Sequence, residues 1–462
     1  MEGRGQLGGN PSKVARVRTQ SRGALPSNLA RVNEAARKDR KARFTGLLHH
    51  VSVEALERAY RRLRPNASAG VDGETVASYG KNLQARLMDL HQRVHAGRYR
   101  ALPVRRAYIP KSDGSSRPLG IPALEDKILQ GAVAEVLGSI YEVDFAGFSY
   151  GFRPGRSPHD ALKALQTALM TQKVNWVLDA DVRNFFGSVD HEWLLRMTAH
   201  RVADPRVLRL IRQWLKAGAL EDGVWSETEE GTPQGSGVSP ILANIFLHYV
   251  LDLWVQWWRK QRARGQVVIV RYCDDFVMGF QYEGDARKML VELKERLVKF
   301  KLAVHEGKTR LIQFGRYAAE RGEGCAERRP RTFSFLGFTH YWGETHTGKS
   351  IARWKTDRHR LASKLKRVKE EIKRRMHDSM KRQHGYLCSV LRGHYRYYGV
   401  PGNHSGLWVF QREIHRLWFR ALRRRGGKKS LTWDRFGEML HEFPLPRSST
   451  IPFQAFYGVA RG

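Results

Sequence analysis

The segment Val267–Phe280 constrains the fold more than any other part of this sequence. It reads VVIVRYCDDFVMGF, two runs of β-favouring residues separated by the pair Asp274 and Asp275. Two such runs predict the strands of a hairpin, and the tip of a hairpin can expose both carboxylates. Adjacent negative charges repel each other, so they need a cation or their pKa values rise. Asp-Asp turns without a function are common, so the pair gains meaning only from a second acidic site.

The second acidic site lies at the end of another apolar run. Asp181 closes a predicted strand that begins near Trp176, and two aromatic residues, Phe185 and Phe186, follow it. Three carboxylates from two strands can hold two Mg²⁺ ions, with Mn²⁺ as a possible substitute, and two such ions stabilise an in-line phosphoryl displacement. Strand alternation puts Asp179 on the same face as Asp181, so periodicity alone leaves both residues open.

Helices and short strands alternate between about residues 100 and 340, after a helical region at 27–100. The candidate strands are Ala107–Pro110, Trp176–Val182, Val267–Tyr272, Phe276–Phe280, Leu311–Phe314 and Phe333–Phe338. Several of them are joined by tight turns, which favours an antiparallel sheet with helices on one face. The sequence therefore predicts an α+β fold.

The charge of the chain indicates its partners. Lys plus Arg number 81 against 45 Asp plus Glu, a net charge of +36, which points to a polyanion and most simply to nucleic acid. Residues 353–382 are strongly basic, with apolar residues every three or four positions from Leu361 to Met376, which predicts an amphipathic helix whose positive face contacts phosphates. Beyond residue 384, aromatic and basic residues interleave, a pattern suited to stacking on unpaired bases.

Two classes of protein are disfavoured by simple patterns. The three cysteines, Cys273, Cys325 and Cys388, are far apart, which argues against a zinc finger and fits a reducing cytoplasm. The first 26 residues have no apolar core, so we expect a flexible basic arm and no secretory signal.

The longest apolar stretch, Ile241–Trp258, carries a polar residue at every fourth position: Asn244, His248, Asp252 and Gln256. This spacing predicts one water-facing stripe on an otherwise apolar helix. The stretch is therefore interpreted as a buried helix of a globular protein, with no membrane span.

Taken together, these residues resemble the reverse transcriptase/maturase proteins encoded by bacterial group II introns. The resemblance covers about residues 44–450, and its blocks occur in the expected order. They are Asn66–Thr75, Ile109–Pro122, Ser149–Ser157, Asp181–Phe186, Gly231–Leu247, Tyr272–Asp275, Lys308-Thr309, Phe333–Phe338 and Leu391–Asn403. A single YxDD is a weak signal, whereas nine blocks in register are a strong one.

The resemblance implies a right-hand polymerase. Fingers and palm with an antiparallel palm sheet would occupy residues 27–345, an α-helical thumb or maturase domain X would occupy 346–450, and a short tail would occupy 451–462. Asp181, Asp274 and Asp275 match the metal-binding carboxylates, which decides for Asp181 over Asp179.

The resemblance also implies a binding site for the incoming dNTP. Lys111 and Arg117 match finger residues that hold the triphosphate, and Gln234 matches a residue that contacts the nucleotide. Phe186 matches the aromatic residue under the sugar, where a bulky ring would exclude a ribose 2′-OH. Each of these residues also has an interpretation without a function. Lys111 and Arg117 could belong to a solvated basic turn, Gln234 to a polar turn and Phe186 to the hydrophobic core.

Nucleic-acid contacts are predicted at a further set of positions. Gly337 lies in the segment that resembles the primer-contacting turn, where a glycine lets the backbone approach closely. The full set is Arg153, Lys308, Gly337, Lys364, Arg367, Arg374, Arg392, His394, Tyr395, Arg423 and Arg424. The chain departs from the family pattern at Gly187, Lys127 and Cys273, none of which removes a carboxylate.

The implied function is an RNA-directed DNA polymerase that binds group II intron RNA, assists its splicing and copies it into DNA for intron mobility. Its partners would be intron RNA, an RNA template with a DNA primer, target DNA and dNTPs, in the cytoplasm and away from membranes. Because the sequence stops soon after domain X without cysteine pairs, we expect no endonuclease domain. The alternatives are a stand-alone group II-like reverse transcriptase in DNA repair or phage defence, and a non-enzymatic RNA chaperone, against which the intact carboxylates argue.

Overall fold

The computed structural model describes residues 26–110, 116–221, 224–226, 230–232, 235–315, 331–345, 347–425, 431–451 and 456. The helices are α1 (Ser27–Lys38), α2 (Val53–Arg62), α3 (Val76–Tyr79), α4 (Leu83–His95), α5 (Leu124–Tyr141), α6 (Pro158–Thr171), α7 (His191–Ala199), α8 (Pro205–Lys216), α9 (Ser239–Leu247), α10 (Leu253–Gln261), α11 (Glu283–Val298), α12 (Arg358–Arg374), α13 (Met380–Tyr398), α14 (His404–Arg425) and α15 (Trp433–Glu442). The strands are β1 (Val104–Pro110), β2 (Ser116–Ile121), β3 (Trp176–Asp181), β4 (Ala219–Glu221), β5 (Val224–Ser226), β6 (Val267–Tyr272), β7 (Asp275–Phe280), β8 (Arg310–Gln313), β9 (Phe333–Phe335), β10 (Phe338–Glu344) and β11 (Ser350–Thr356).

Four antiparallel strands in the order β6-β7-β3-β8 form the central sheet. Its strands coincide closely with the runs predicted from the sequence, and the α+β class is confirmed. One face packs through Leu178, Phe276 and Met278 on the large core shared with α5, α9 and α11. The prediction of helices on one face only is wrong, because the other face is also covered, by α6 and by strands β9 to β11 through Val177, Val277 and their neighbours.

The segment Phe333–Phe338 is a tight hairpin and not the single strand predicted from its sequence. Phe335 pairs with Phe338, which leaves Leu336 and Gly337 as a two-residue turn. Both turn residues have positive φ, +49° and +81°, as a type I′ turn requires. β10 then pairs with β11 along its whole length, and this second hairpin spans the predicted boundary at 345/346.

The C-terminal helices pack around their own apolar core, which includes Val368, Leu391, Phe410 and Trp418. The predicted basic helix over 353–382 is wrong in its bounds, since residues up to Thr356 belong to β11 and Met376 lies beyond the end of α12. The helix begins at Arg358 because the Asp357 side chain accepts a hydrogen bond from Arg360 N (3.0 Å). Within the described ranges, no helix combines the length and the apolar character that a bilayer crossing demands.

Helices α9 and α10 are joined by the π-helical turn His248–Asp252, so that they form one continuous rod. The buried helix predicted for Ile241–Trp258 is present as far as Asp252, whereas α10 exposes Leu253 and Trp257. The predicted water-facing stripe is wrong, however, because Asn244, His248 and Asp252 are all buried. These polar side chains therefore face other protein groups.

Candidate active site

The register of the central sheet brings together carboxylates that are far apart in the sequence. β3 and β7 are antiparallel neighbours, and Asp181 pairs directly with Asp275 at the end of both strands. Residues in such a pair have Cβ atoms about 5 Å apart. Asp274 precedes Asp275 in the turn that joins β6 to β7, so three acidic residues converge at one edge of the sheet.

The turn itself is a tight one. Tyr272 pairs with Asp275, which leaves Cys273 and Asp274 as its two loop residues. Cys273 has a φ of +59°, a conformation that usually selects glycine in hairpins, yet it is a buried cysteine. A non-glycine residue in this conformation persists only where its surroundings hold it.

Crowding of negative charge is visible in the acid–base properties of these groups. Burial, reinforced by the charges of Asp179, Asp181 and Asp274, raises the pKa of Asp275 to about 7. Burial also raises the pKa of Asp179 to about 6, against the opposing effect of the Arg310 guanidinium. Where carboxylates disfavour each other's ionisation, a bound cation would reduce the repulsion between their charges.

Two basic side chains already engage this cluster. The ammonium nitrogen of Lys308 lies 3.1 Å from Asp181 Oδ2, and the Arg310 guanidinium lies 3.4 Å from Asp179 Oδ2. Lys308, predicted to contact nucleic acid, therefore contacts a carboxylate here. Asp179, the competitor of Asp181, has a cationic partner on the neighbouring strand.

The donor set suits a divalent cation, because Mg²⁺ prefers a few carboxylate oxygens. As the side chains stand, no three His, Cys, Asp or Glu residues in the described parts of the chain lie close enough together to hold a metal ion. Lys308 is mostly exposed on a flexible stem, so it can leave Asp181 when a cation arrives.

Phe186 lies next to the carboxylates in the 3₁₀ turn Phe185–Gly187 that follows β3. Its ring is half-buried and packs edge-on against Phe185, with ring centroids 5.3 Å apart. Thr232 N donates to Phe186 O (2.7 Å), so the start of the Gly231–Leu247 block is seated on this turn. This position leaves open both the predicted role under the sugar and the plain core role.

The other predicted nucleotide contacts are Lys111, Arg117 and Gln234. Lys111 and Gln234 lie outside the described residues, and so does the side chain of Arg117. The backbone of Arg117 pairs with Ile109 in the β1–β2 hairpin, which joins a sheet of order β2-β1-β4-β5. The predicted roles of these three residues stay predictions.

Gly337 occupies a turn that is covered by the C-terminal helices. Tyr397 donates its hydroxyl to Leu336 O (2.8 Å), and Asp357 N donates to Gly337 O (3.0 Å). A Cβ at Gly337 would lie 2.9 Å from the Tyr398 hydroxyl oxygen. The close approach that glycine permits here is therefore to protein, and contact with a primer stays a prediction.

The predicted basic contacts of the C-terminal helices divide into two groups. Arg367, Arg392, Arg423 and Arg424 have exposed side chains, as does Arg374, which pairs with Glu371 at 2.8 Å. Lys364 is half-buried, lies over the Phe410 ring and contacts His394 Nδ1 at 3.3 Å. The exposed arginines are positioned to reach a polyanion, whereas Lys364 is largely occupied within the protein.

Besides Gly337, three of the predicted nucleic-acid contacts are buried. His394 stacks on Phe410 with centroids 3.7 Å apart, and burial lowers its pKa to about 3, so the ring is neutral and cannot attract phosphate by charge. Tyr395 lies in the same apolar core. Arg153 donates to the carbonyl oxygens of Ala146 and Ser149 and pairs with Glu142. All three side chains therefore contact other parts of the protein. The sequence did not reveal this, because it gives the type of a residue and not the direction in which its side chain points.

Comparison with known proteins identifies the family to which this geometry belongs. A family model described as reverse transcriptase (RNA-dependent DNA polymerase) matches residues 109–340, just over half of the 462 residues. The match contains all three carboxylates, the Cys273–Asp274 turn and the Leu336–Gly337 turn.

Several curated proteins are similar to the chain over less than half of its length. Protein YkfC of Escherichia coli is 35% identical over 237 residues, which cover 45% of this chain and 62% of that protein. The group II intron-encoded protein LtrA of Lactococcus lactis is 37% identical over 211 residues, covering 45% of this chain and 35% of LtrA. Nuclear intron maturase 3 of Arabidopsis thaliana is 27% identical over 203 residues, covering 40% and 28%. The chain thus spans less than two thirds of the length of these relatives.

Proposed function

The chain belongs to the reverse transcriptase (RNA-dependent DNA polymerase) family, and on that premise we propose that it copies RNA into DNA at the edge of the central sheet. The observation that carries the proposal is the direct pairing of Asp181 with Asp275, with Asp274 in the adjoining turn. A primer 3′-OH would attack the α-phosphate of a dNTP there, and pyrophosphate would leave.

Asp181, Asp274 and Asp275 would hold the divalent ions, with Mg²⁺ the expected metal and Mn²⁺ a possible substitute. When bound, such ions neutralise charge on the transferring phosphate and lower the pKa of the attacking hydroxyl. The negative charges of Asp179, Asp181 and Asp274, which add to burial in raising the pKa of Asp275, support this assignment, because crowded carboxylates favour binding of a cation. Asp179 would stay outside the metal site as the partner of Arg310.

Phe186 would select the sugar. Its half-buried ring stands five positions beyond Asp181 and packs edge-on against Phe185, while its backbone carbonyl oxygen accepts a hydrogen bond from Thr232 N. A bulky ring at this position would contact a 2′-OH, so a ribonucleotide would be excluded. Lys111, Arg117 and Gln234 would hold the triphosphate.

The architecture would be that of a right hand. The central sheet would be the palm, the β1–β2 hairpin with α2 to α5 would be the fingers, and α12 to α15 would be the thumb or maturase domain X. The exposed arginines Arg367, Arg392, Arg423 and Arg424 would then hold the phosphates of the template, the primer or a folded RNA.

A group II intron RNA is the proposed macromolecular partner. Two of the relatives are named as an intron-encoded protein and an intron maturase, and this chain is similar to both over less than half of its length. The net charge of +36 supports a large RNA partner. The protein would favour the active fold of the RNA, which itself supplies splicing catalysis, and would copy the intron into DNA with target DNA as a further partner. The names of these relatives do not favour the stand-alone alternative.

Paired asparagine variants test the carboxylate assignment. The assay is extension of a DNA primer on an RNA template by the purified chain with Mg²⁺. Asp181→Asn should lower the rate by about 1,000-fold or more, because it removes a charge that the metal site needs. Asp179→Asn, two residues away on the same face, is the matched control and should stay within about tenfold of wild type.

The outcomes separate the rival functions. Equal losses in both variants would contradict the choice of Asp181. No extension by wild type, together with stimulated splicing of a group II intron RNA, would favour the RNA chaperone. Extension without any effect on intron splicing would favour the stand-alone reverse transcriptase.

A further inference from the structure

A charged side chain, Arg271, is completely buried directly before the Cys273–Asp274 turn. Val270 pairs with Val277, so these two residues lie on the same face of the central sheet, and alternation along β7 puts Asp275 on that face as well. Alternation along β6 puts Arg271 on the opposite face. Arg271 therefore lies behind the sheet relative to Asp275 and Asp181. It is placed to act on the turn without touching a substrate.

The guanidinium of Arg271 is fixed by a forked ion pair with Asp252. Nε donates to Asp252 Oδ1 (2.7 Å) and Nη2 donates to Oδ2 (2.6 Å), and neither side chain is exposed. Two parallel bonds of this kind fix the plane of the guanidinium as well as its position. Asp252 is the last residue of the π-helical turn between α9 and α10, a feature that often marks functional sites.

The remaining donors of Arg271 reach the turn and its neighbour. Nη1 donates to the carbonyl oxygen of Cys273 (3.0 Å) and to Asn244 Oδ1 (3.1 Å). Asn244 in turn donates through Nδ2 to Gly151 O (2.8 Å). The segment around Gly151 lies against the turn, because a Cβ at Gly151 would stand 2.4 Å from Cys273 N.

Backbone bonds complete the arrangement. Arg271 N donates to Phe148 O (2.9 Å), and Tyr150 N donates to Arg271 O (2.8 Å). Cys273, with its positive φ, is thus held by the Arg271 side chain, which the α9–α10 rod fixes, and by the 148–151 segment that packs against it. A carboxylate on such a turn moves only if these contacts break.

We propose that Asn244, Asp252 and Arg271 are positioning residues, which we call the hairpin brace, and that the hairpin brace holds Asp274 and Asp275 in the geometry for catalysis. This inference rests on the proposed polymerase function for its purpose, although not for its geometry. A buried ion pair adds little net stability compared with apolar side chains of the same volume. The fixed direction of the Cys273 carbonyl is therefore the main contribution of these charges.

Two variants and one control test the hairpin brace. Arg271→Lys keeps the charge but loses the fork. Asn244→Ala removes the link to Gly151 and leaves the ion pair in place, so it carries the test if Arg271→Lys does not fold. Arg201→Lys is the control, because Arg201 is an equally buried arginine that pairs with Asp144 and makes no contact with the turn.

The first measurement needs neither metal nor nucleic acid. Cys273 is 4% exposed, so its alkylation by a maleimide reports opening of the turn, and peptide mass spectrometry separates it from the other two cysteines. Loss of one hydrogen bond should raise a local opening equilibrium about tenfold. We expect alkylation of Cys273 to be about tenfold faster in Arg271→Lys and in Asn244→Ala, and unchanged in Arg201→Lys.

The second measurement separates positioning from binding. Single-turnover primer extension should show a maximal rate about 100-fold lower in Arg271→Lys, the loss expected for misplacement by about 1 Å. The dNTP concentration at half-maximal rate and the primer–template affinity should stay within about threefold of wild type. A rate in Arg201→Lys that falls as far as in Arg271→Lys would reduce the brace to general stability and overturn the inference.

Failure of the two proposals can be told apart. If wild type extends no primer, the proposed function fails, while the alkylation rates still decide whether the brace holds the turn. If folded Arg271→Lys and Asn244→Ala alkylate Cys273 at the wild-type rate, the brace is refuted even when polymerase activity is intact.

Discussion

Gly151→Ala should nearly abolish primer extension although it adds one methyl group. The new Cβ would lie 2.4 Å from Cys273 N and 2.9 Å from the carbonyl carbon of Tyr272, and ordinary contact begins at 3.4 Å. Both atoms belong to the backbone of the hairpin that carries Asp274 and Asp275. Neither can swing aside, so the hairpin or the 148–151 segment must move by about 1 Å, the difference between 2.4 and 3.4 Å.

A displacement of that size should lower both the rate of catalysis and the stability of the fold. Misplacement of reacting groups by about 1 Å costs on the order of 100-fold in rate, or about 2.7 kcal/mol of transition-state stabilisation. Overpacking itself should lower the free energy of unfolding by about 1–3 kcal/mol. Single-turnover extension on an RNA template and thermal unfolding measure the two effects separately.

Gly138→Ala is the matched control for Gly151→Ala. Gly138 lies inside α5, and a Cβ there has no heavy atom within 4 Å. An alanine in a helix is more favourable than a glycine by about 0.5–1 kcal/mol, so this variant should melt slightly higher and extend primers normally. The reasoning is refuted if folded Gly151→Ala extends primers within about threefold of wild type.

Three further predictions concern other parts of the molecule. Burial raises the pKa of Asp126 to about 7 from 3.8, so between about pH 4 and 7 the folded chain keeps a proton that the unfolded chain has released. Denaturant titrations should therefore show the free energy of unfolding falling as the pH rises through that window. Asp126→Asn should remove roughly 2–4 kcal/mol of this fall. Phe186→Ala should raise the use of ribonucleotides relative to deoxyribonucleotides by about 10- to 100-fold in primer extension, and unchanged selectivity would assign the ring to the core. Arg367→Gln should reduce the slope of log affinity for RNA against log salt by about 1 in titrations from 50 to 200 mM, and a slope equal to that of wild type would exclude Arg367 from phosphate contact.

Much of the fold was predictable because the relevant signals are local. The runs Trp176–Val182, Val267–Tyr272 and Phe276–Phe280 are strands of the central sheet, since β-branched and aromatic residues bounded by turn residues have few other uses. The same locality explains the misses. β4 and β5 are three residues long, and the type I′ turn at Leu336–Gly337 divides a short run in which three phenylalanines favour a strand.

The direction in which polar side chains point was the harder question. Asn244, His248 and Asp252 recur at every fourth position, which correctly predicted that they share one side of a helix. The prediction that this side faces water is wrong, because all three residues are buried. Periodicity records which residues share a face and contains nothing about what the face meets. The clue was Arg271, a charge inside the apolar run VVIVRY, because a buried arginine requires buried acceptors.

The sequence alone determined the strands of the central sheet, the acidic pair at a turn, the large positive charge and, through its motifs, the family. Only the tertiary structure decided that Asp181 stands opposite Asp275, that His394 and Tyr395 point inward, and that Arg271 joins residues 19 positions away to the turn beside it. The reason is physical: composition and periodicity act over a few residues, whereas the partner of a polar side chain is set by sheet register and helix packing between distant segments.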